Sequence, residues 1–519
     1  PRMLTTIYCK VNHRVFRSGR VLGEDLFMKI VFAWIVVFAV LIGGLGGVVS
    51  GAALSDATKA CLECHSIIHP GIVEDWQKSR HSQMSPSDAL GVKGPGLKVS
   101  SRDIPDGLKG KAVGCAECHT MRPKEHADAF DHNDHKVYTA VSPGDCRVCH
   151  SEEAEQYSMN LMSHAYRNLA ENKLYGLLEH SILGAVGRDK AEMENAPASR
   201  VTKAETCYHC HGTVLKVTGK EKRAYDDYGD MEFPRIEGWP NQGTGRVNLD
   251  GTIGSCAACH TRHRFSIETA RKPYTCKQCH VGPDVPAFKV YEASKHGNIF
   301  SSHGRDWEFR KVPWTVGKDF SAPTCAACHV SLLVSSGGEL IAKRSHRMND
   351  RLPWRIFGLI YAHPHPKNPD TTIIRNKDGA PLPSDFAGGF AADYLIDVKE
   401  MDSRRKGIQT ICRACHGSST VAGQWERFES SIKETNAKTL TATQILSGIW
   451  AAGYAKGPSE GGSPFDEEPE RIWADSWVIY ANTIRFASAM GFGGDYGVFA
   501  DGRYELNKTI VRLHQRGRP

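Results

Sequence analysis

The stretch Cys207-Tyr208-His209-Cys210-His211 decides how this chain of 519 residues is read. Its C-x-x-C-H pattern recurs seven more times, at Cys61, Cys64 and His65; Cys115, Cys118 and His119; Cys146, Cys149 and His150; Cys256, Cys259 and His260; Cys276, Cys279 and His280; Cys325, Cys328 and His329; and Cys412, Cys415 and His416. The pattern is the attachment signature of c-type haem. Two thiols add to the porphyrin vinyl groups, and the adjacent imidazole ligates the iron. The eight motifs use sixteen of the seventeen cysteines, leaving Cys9 as a free thiol. Structural zinc would arrange cysteine pairs in fours and would not place a histidine after every pair. A disulfide framework has no reason to repeat one spacing.

Only 40 % of the residues are hydrophobic. Eight covalently bound haems supply the missing apolar core. Successive ligand histidines are 54, 31, 61, 49, 20, 49 and 87 residues apart, which leaves room for one or two helices or a loop between most motifs. The formal charge is +7. Two propionates per haem reverse its sign, so the basic balance does not point to nucleic acid, and no nucleic-acid motif is present. The expected fold class is mainly α: a multihaem cytochrome with extensive loops and a long-helix C-terminal part.

The chain divides into a basic segment 1–29, an apolar segment 30–53, a haem region 54–420 and a C-terminal part 421–519. Ile30 to Val49 holds no charge and is long enough to cross a bilayer as a helix. Its basic flank places the N-terminus in the cytoplasm. A transmembrane anchor with the haem region on the periplasmic or extracytoplasmic side is therefore expected, with an uncleaved or cleaved signal peptide as the alternative. Residues 86–114 read as a surface excursion, 153–183 as helical and 219–254 as a long loop. Trp425 to Trp450 and Glu470 to Met490 read as long helices.

The position opposite each motif histidine decides whether a haem relays electrons or does chemistry. His13 and His209 are poor distal ligands. His69, His81, His126, His132, His135, His164, His180, His263, His296, His303, His346, His363 and His365 are available. Of these, His81, His164, His263, His296 and His346 are named as iron ligands. An all-relay conduit is one reading. An enzyme that gathers several electrons at one open iron, acting on small nitrogen compounds with Asp, His or Tyr as proton carriers, is the other.

The haem count and order, Asp75-Trp76 with Ser79-Arg80-His81, the close fifth and sixth motifs and Ser294-Lys295-His296-Gly297 together resemble the octahaem hydroxylamine oxidoreductase family over roughly residues 55–510. The resemblance implies a catalytic fourth haem at Cys207, Cys210 and His211, seven bis-histidine relay haems, mostly helical trimers, and hydroxylamine, hydrazine or nitrite as substrate. It also implies Asp284 as an acid–base group. The family's Asp-His pair here reads Asp284-Val285, and valine carries no proton. Oxidising members link the fourth haem to a tyrosine of a neighbouring subunit. Tyr496, in Gly493-Gly494-Asp495-Tyr496, and Tyr504 lie in the corresponding region. The departure at Val285 favours a reductive or bidirectional enzyme of nitrite and hydroxylamine over a hydroxylamine or hydrazine oxidoreductase. The expected partner is an electron-transfer protein or a quinone-linked membrane component. Intact-mass measurement of the holoprotein is expected to show eight haem adducts, and Cys207→Ser with Cys210→Ser to remove one of them; a lower wild-type count would refute the one-motif, one-haem reading.

Overall fold

The computed structural model describes residues 52–517, apart from 190–191, 226–228 and 492. The described chain is about half helical, with small two- and three-stranded sheets between the helices. Most helices before residue 398 have fewer than ten residues. The motifs explain this. Each C-x-x-C-H needs only one helical turn, and the glycines and prolines between motifs end the helix soon after. Ser55 caps the helix Asp56–Ile68 by accepting from the Thr58 amide. Asn172 likewise caps Lys173–Leu183 through the amides of Leu174 and Tyr175; such caps satisfy amides that a short helix leaves unpaired.

The stretch 153–183 is three helices rather than one: Ser151–Ser158, Ala165–Ala170 and Lys173–Leu183. Residues 219–254 do not form a plain loop. They contribute most of an antiparallel hairpin, Lys216–Tyr225 with Gly229–Glu237. Only its second strand, through Asp230-Met231-Glu232-Phe233 and Arg235-Ile236-Glu237, alternates charged and apolar residues, while Gly219 at φ +146° marks the irregular register near its base. Residues 86–114 are more integrated than a surface excursion, since Val99, Ile104 and Ala112 are buried.

The C-terminal helices are longer, as expected. Ser418–Ala451 is followed by Glu468–Asp475, a π-helical turn Ser476–Ala481, Asn482–Ala489 and Arg503–Arg516. Apart from Asn482–Ala489, their inward faces meet in one cluster with Leu446, Ile449, Trp473, Trp477 and Leu513, joined by Leu359, Ile360 and Tyr361. Trp473 is fully buried, and its indole N–H donates to Thr443 Oγ1 at 2.9 Å.

The membrane anchor expected over 30–53 is corrected. Among the described residues no helix is long and apolar enough to cross a membrane. The longest, Ser418–Ala451, has 34 residues but carries Glu426, Arg427, Glu429, Lys433, Glu434 and Lys438. The transmembrane assignment and the extracytoplasmic placement resting on it are withdrawn. The apolar stretch up to residue 51 and Cys9 lie outside the described residues.

Trp473→Ala removes a wholly enclosed side chain and is expected to cost about 3–5 kcal/mol. The control Val398→Ser, at a position 74 % exposed, is expected to stay within about 0.5 kcal/mol. Chemical denaturation of the holoprotein followed by far-UV circular dichroism compares the two, and equal effects would refute the packing described.

Candidate functional site

Each motif winds into a single turn that brings its two cysteines and its histidine together. The turn is closed by main-chain bonds such as His150 N–H to Cys146 O at 2.8 Å and His280 N–H to Cys276 O at 2.8 Å. Second contacts then orient the imidazoles. The Nδ1–H of His119 donates to Tyr138 O at 2.7 Å, that of His150 to Lys98 O at 3.1 Å and that of His211 to Ala165 O at 3.2 Å. Fixing Nδ1 in this way leaves Nε2 as the ligating nitrogen. His65 is arranged differently, with its Nδ1 2.9 Å from Nδ1 of His69.

Metal–nitrogen bonds of about 2 Å to two imidazoles separate their ring centres by roughly 6 Å. Four motif histidines face a second imidazole at that separation. His132 faces His65 at 6.1 Å, His81 faces His150 at 6.2 Å, His346 faces His260 at 6.3 Å and His296 faces His416 at 6.0 Å. His263 lies close enough to His119 for burial and the His119 charge to lower its pKa. His164 is not brought opposite a motif histidine among the described rings. Its Nε2 is bonded to Ser158 O at 3.0 Å. His132 was available in the sequence but carried no signal beyond being a histidine; its place in the hairpin Phe130–His132 with His135–Val137 sets its position.

The thiols give the order of the motifs in space. Cys61 of the first lies beside Cys115 of the second. Cys118 neighbours Cys149 of the third, and Cys146 lies beside Cys256 of the fifth. Cys259 neighbours Cys276 of the sixth, Cys276 lies beside Cys325 of the seventh, and Cys328 neighbours Cys412 of the eighth. The fourth motif stands beside this line and joins it at the sixth, where Cys210 lies beside Cys279 and its thiol donates to the Gln278 carbonyl at 3.9 Å.

One continuous cavity of about 3270 Å³ connects these groups, lined by all the cysteines and histidines of the third to eighth motifs and by Cys118 of the second. Ordinary small-ligand cavities span roughly 300–1,000 Å³. Fifteen Lys and Arg residues line the cavity against eight Asp and Glu, which suits propionate-bearing ligands. Thiol pairs, oriented imidazoles, volume and charge all fit c-type haem.

Around the fourth motif, His211 is buried, which lowers its pKa; the Asp284 charge opposes that shift and Arg355 adds to it. Burial lowers the pKa of His280 as well, and the Asp284 charge opposes that shift too, so this carboxylate lies near both the fourth and the sixth motifs. Its main-chain carbonyl accepts from Asn482 Nδ2 at 3.1 Å. The Tyr208 hydroxyl donates to Glu179 at 3.0 Å, and Glu179 also pairs with Lys203. Val285 packs in an apolar cluster with Val290, Phe357, Phe486, Met490 and Tyr496. Tyr496 is half-buried there and is not among the residues lining the cavity. Tyr504 is exposed.

His126, one of the histidines available as a ligand, occupies a buried ionic cluster instead. It stacks on Tyr138 with ring centres 3.6 Å apart, and its nitrogens lie 3.5 Å from Asp128 and 3.2 Å from Asp145. Arg122 reaches Asp145 at 3.2 Å and Asp250 at 3.5 Å. Burial opposes charging His126, but the two carboxylates outweigh it and hold the pKa up at about 9. They in turn are held below the usual carboxylate range, against burial, by His126 and main-chain amides.

A raised imidazole pKa stabilises the fold fully below its unfolded value of about 6.5, and that contribution is lost as pH rises through about 9. Unfolding measured against pH is therefore expected to show an alkaline loss that His126→Gln abolishes; an unchanged alkaline limb would refute the charged cluster. Separately, His346→Ala is expected to free one axial position and add a high-spin signal to the ferric optical and electron paramagnetic resonance spectra. An unaltered low-spin spectrum would show that His346 is not a ligand.

A sequence profile described as "Seven times multi-haem cytochrome CxxCH" matches residues 247–353, the stretch holding the fifth, sixth and seventh motifs. A curated relative from Kuenenia stuttgartiensis, a probable nitrite reductase-hydroxylamine oxidoreductase fusion protein, is 26 % identical over 470 residues, covering 85 % of this chain and 44 % of the relative. This chain thus spans less than half the length of that protein. A solved structure of a hypothetical multiheme protein superposes with a TM-score of 0.83 at 37 % identity, covering 90 % of this chain and 96 % of that one. The reducing HAO-like protein complex of Kuenenia stuttgartiensis shares the fold, with a TM-score of 0.56 at 17 % identity over 89 % of this chain and 85 % of that one. With C-x-x-C-H turns built around a large shared cavity and a multiheme relative matched over almost its whole length, the chain belongs to the multihaem cytochromes c and is similar to hydroxylamine oxidoreductase-like members among them.

Proposed function

We propose that this haem oxidoreductase carries one haem at each of its eight motifs and reduces nitrite, hydroxylamine or both at the fourth. The observation that carries this reading is the branch. Seven motifs follow one another in a line, while the fourth touches that line at the sixth, where the Cys210 thiol donates to the Gln278 carbonyl at 3.9 Å. A group in the line passes electrons on; one beside it receives them and has a face left for substrate. The names of the relatives, a nitrite reductase-hydroxylamine oxidoreductase fusion and a reducing HAO-like complex, support the substrate class.

Haem held by Cys207, Cys210 and His211 would supply the redox-active iron at which a small nitrogen compound is held. The protein supplies orientation and protons. The Ala165 carbonyl holds the His211 ring through Nδ1–H. Asp284, fixed through its main chain by Asn482, is the proton donor beside that site. Conversion of hydroxylamine to ammonia and water takes two electrons and two protons, so a carboxyl group that can be refilled from solvent suits the task. His81, His132, His263, His296 and His346 would hold relay haems from the side opposite the motif histidines, and an electron-transfer protein would supply the electrons. Val498, Phe499, Tyr504 and Val511 are exposed apolar or aromatic groups on the C-terminal part and support its use in a homotrimer.

Two measurements test the reading. The fully reduced holoprotein is expected to lack a band well to the red of the ordinary c-haem Soret maximum. Such a band would mean a tyrosine-linked haem and an oxidative enzyme, with Tyr496 or Tyr504 as the linking residue. With a chemically reduced dye as donor, Asp284→Asn is expected to lower kcat for nitrite or hydroxylamine by about 10²-fold with haem content unchanged. Wild-type turnover of neither compound would sink the proposal.

A further inference from the structure

Arg355 lines the cavity from the short strand Trp354–Arg355, which pairs with His363–Pro364. Its Nε is buried with no hydrogen-bond partner among the described residues. Its guanidinium lies over the Phe357 ring, 5.4 Å from the centroid, and it forms no ion pair with a described carboxylate. Other cavity arginines are accommodated differently. Arg344 pairs with Glu153, and Arg271 donates to the carbonyls of Phe309 and Lys311.

A second guanidinium stands behind it. Arg485 is wholly buried and donates to Thr435 Oγ1 at 2.9 Å, Ile356 O at 3.1 Å, Asn482 Oδ1 at 3.2 Å and Asn436 Oδ1 at 2.8 Å. Every one of these acceptors is neutral. Burial without a counter-ion pushes its pKa down to about 9. Arg485 thus braces the segment that carries Arg355, Asn482 links Arg485 to the main-chain carbonyl of Asp284, and Phe357 packs with Val285, so Arg355 stands in the neighbourhood of Asp284. A guanidinium with a buried Nε–H that lacks an acceptor is a poor structural element unless an anion completes it.

We propose that Arg355 is the oxyanion-recognition residue of the fourth-motif site. The assignment rests on the reductive reading above and deepens it. Nitrite is planar, with its charge shared by two oxygens, and a guanidinium fork matches that shape. The positive field of Arg355 and Arg485 would draw in anionic nitrite, hold neutral hydroxylamine less strongly and repel ammonium. It would thus separate substrate from product by charge. A haem propionate offers the same carboxylate-like chemistry, and the test distinguishes the two.

The oxidised holoprotein is titrated with sodium nitrite and the reduced holoprotein with carbon monoxide, each followed optically. Arg355→Met is expected to weaken nitrite binding at least tenfold, about 1.4 kcal/mol. Carbon monoxide binding, haem content and reduction potentials should be preserved, and Arg355→Lys should recover part of the nitrite affinity. Unchanged nitrite binding in Arg355→Met overturns the assignment. So does a parallel loss of nitrite and carbon monoxide binding with a shifted haem potential, which would identify a propionate as the partner. If the wild type takes up carbon monoxide but not nitrite, the oxyanion assignment fails while the open fourth site survives. Wild type that binds neither removes the open-site reading and this assignment together.

Discussion

A cavity of about 3270 Å³ running through a chain that is 40 % hydrophobic sets the terms for everything else. Side chains cannot close such a space, so the walls must be organised to hold a filling. That explains why the described helices before residue 398 are short. Their work is to place a thiol pair and an imidazole at the cavity surface. It also explains why the extended apolar packing is gathered in the C-terminal helices, where Trp473, Trp477 and Leu446 form a core of ordinary kind.

The same constraint governs polar groups. A motif imidazole must point one nitrogen at the cavity, so its other nitrogen needs a fixed partner. Tyr138, Lys98 and Ala165 provide carbonyls for three of them. Charges near the cavity are compensated individually. The His126 cluster sets one imidazolium and Arg122 against Asp128, Asp145 and Asp250. Arg485 is treated differently, with neutral oxygens around a full charge.

How much of this was legible in the sequence depended on how local the signal was. The C-x-x-C-H turns are complete within five residues, so all eight could be read directly. Distal histidines are not local. His346 is 86 residues from His260, which it faces, and only the intervening fold brings the two together. His126 and His132 are six residues apart, yet one lies among carboxylates and the other opposite an imidazole; composition could not separate them. The hairpin 216–237 was hidden because Gly, Asp and Pro suggest a loop, while only its second strand carries a short charged and apolar alternation as a period-two signal. The apolar run 30–49 reads as a span on composition alone, and no described helix repeats that character. Arg355 and Arg485 carry no motif at all, and their interest arises from what surrounds them.

The π-helical turn Ser476–Ala481 gives the last long helix a second orientation. Each residue of a regular helix turns the chain by about 100°, so an inserted residue taken up in a π turn shifts the phase of all that follows. Upstream, Ile472 and Trp473 point into the C-terminal core. Downstream, Asn482 and Arg485 reach Asp284 and Ile356 instead. The helix therefore works as a crank with two arms set at different angles. One arm is anchored in a rigid apolar bed and the other grips the loops beside the fourth motif. A regular helix in place of that turn would swing Asn482 and Arg485 around the axis, by about 100° for each residue of phase, away from Asp284 and Ile356.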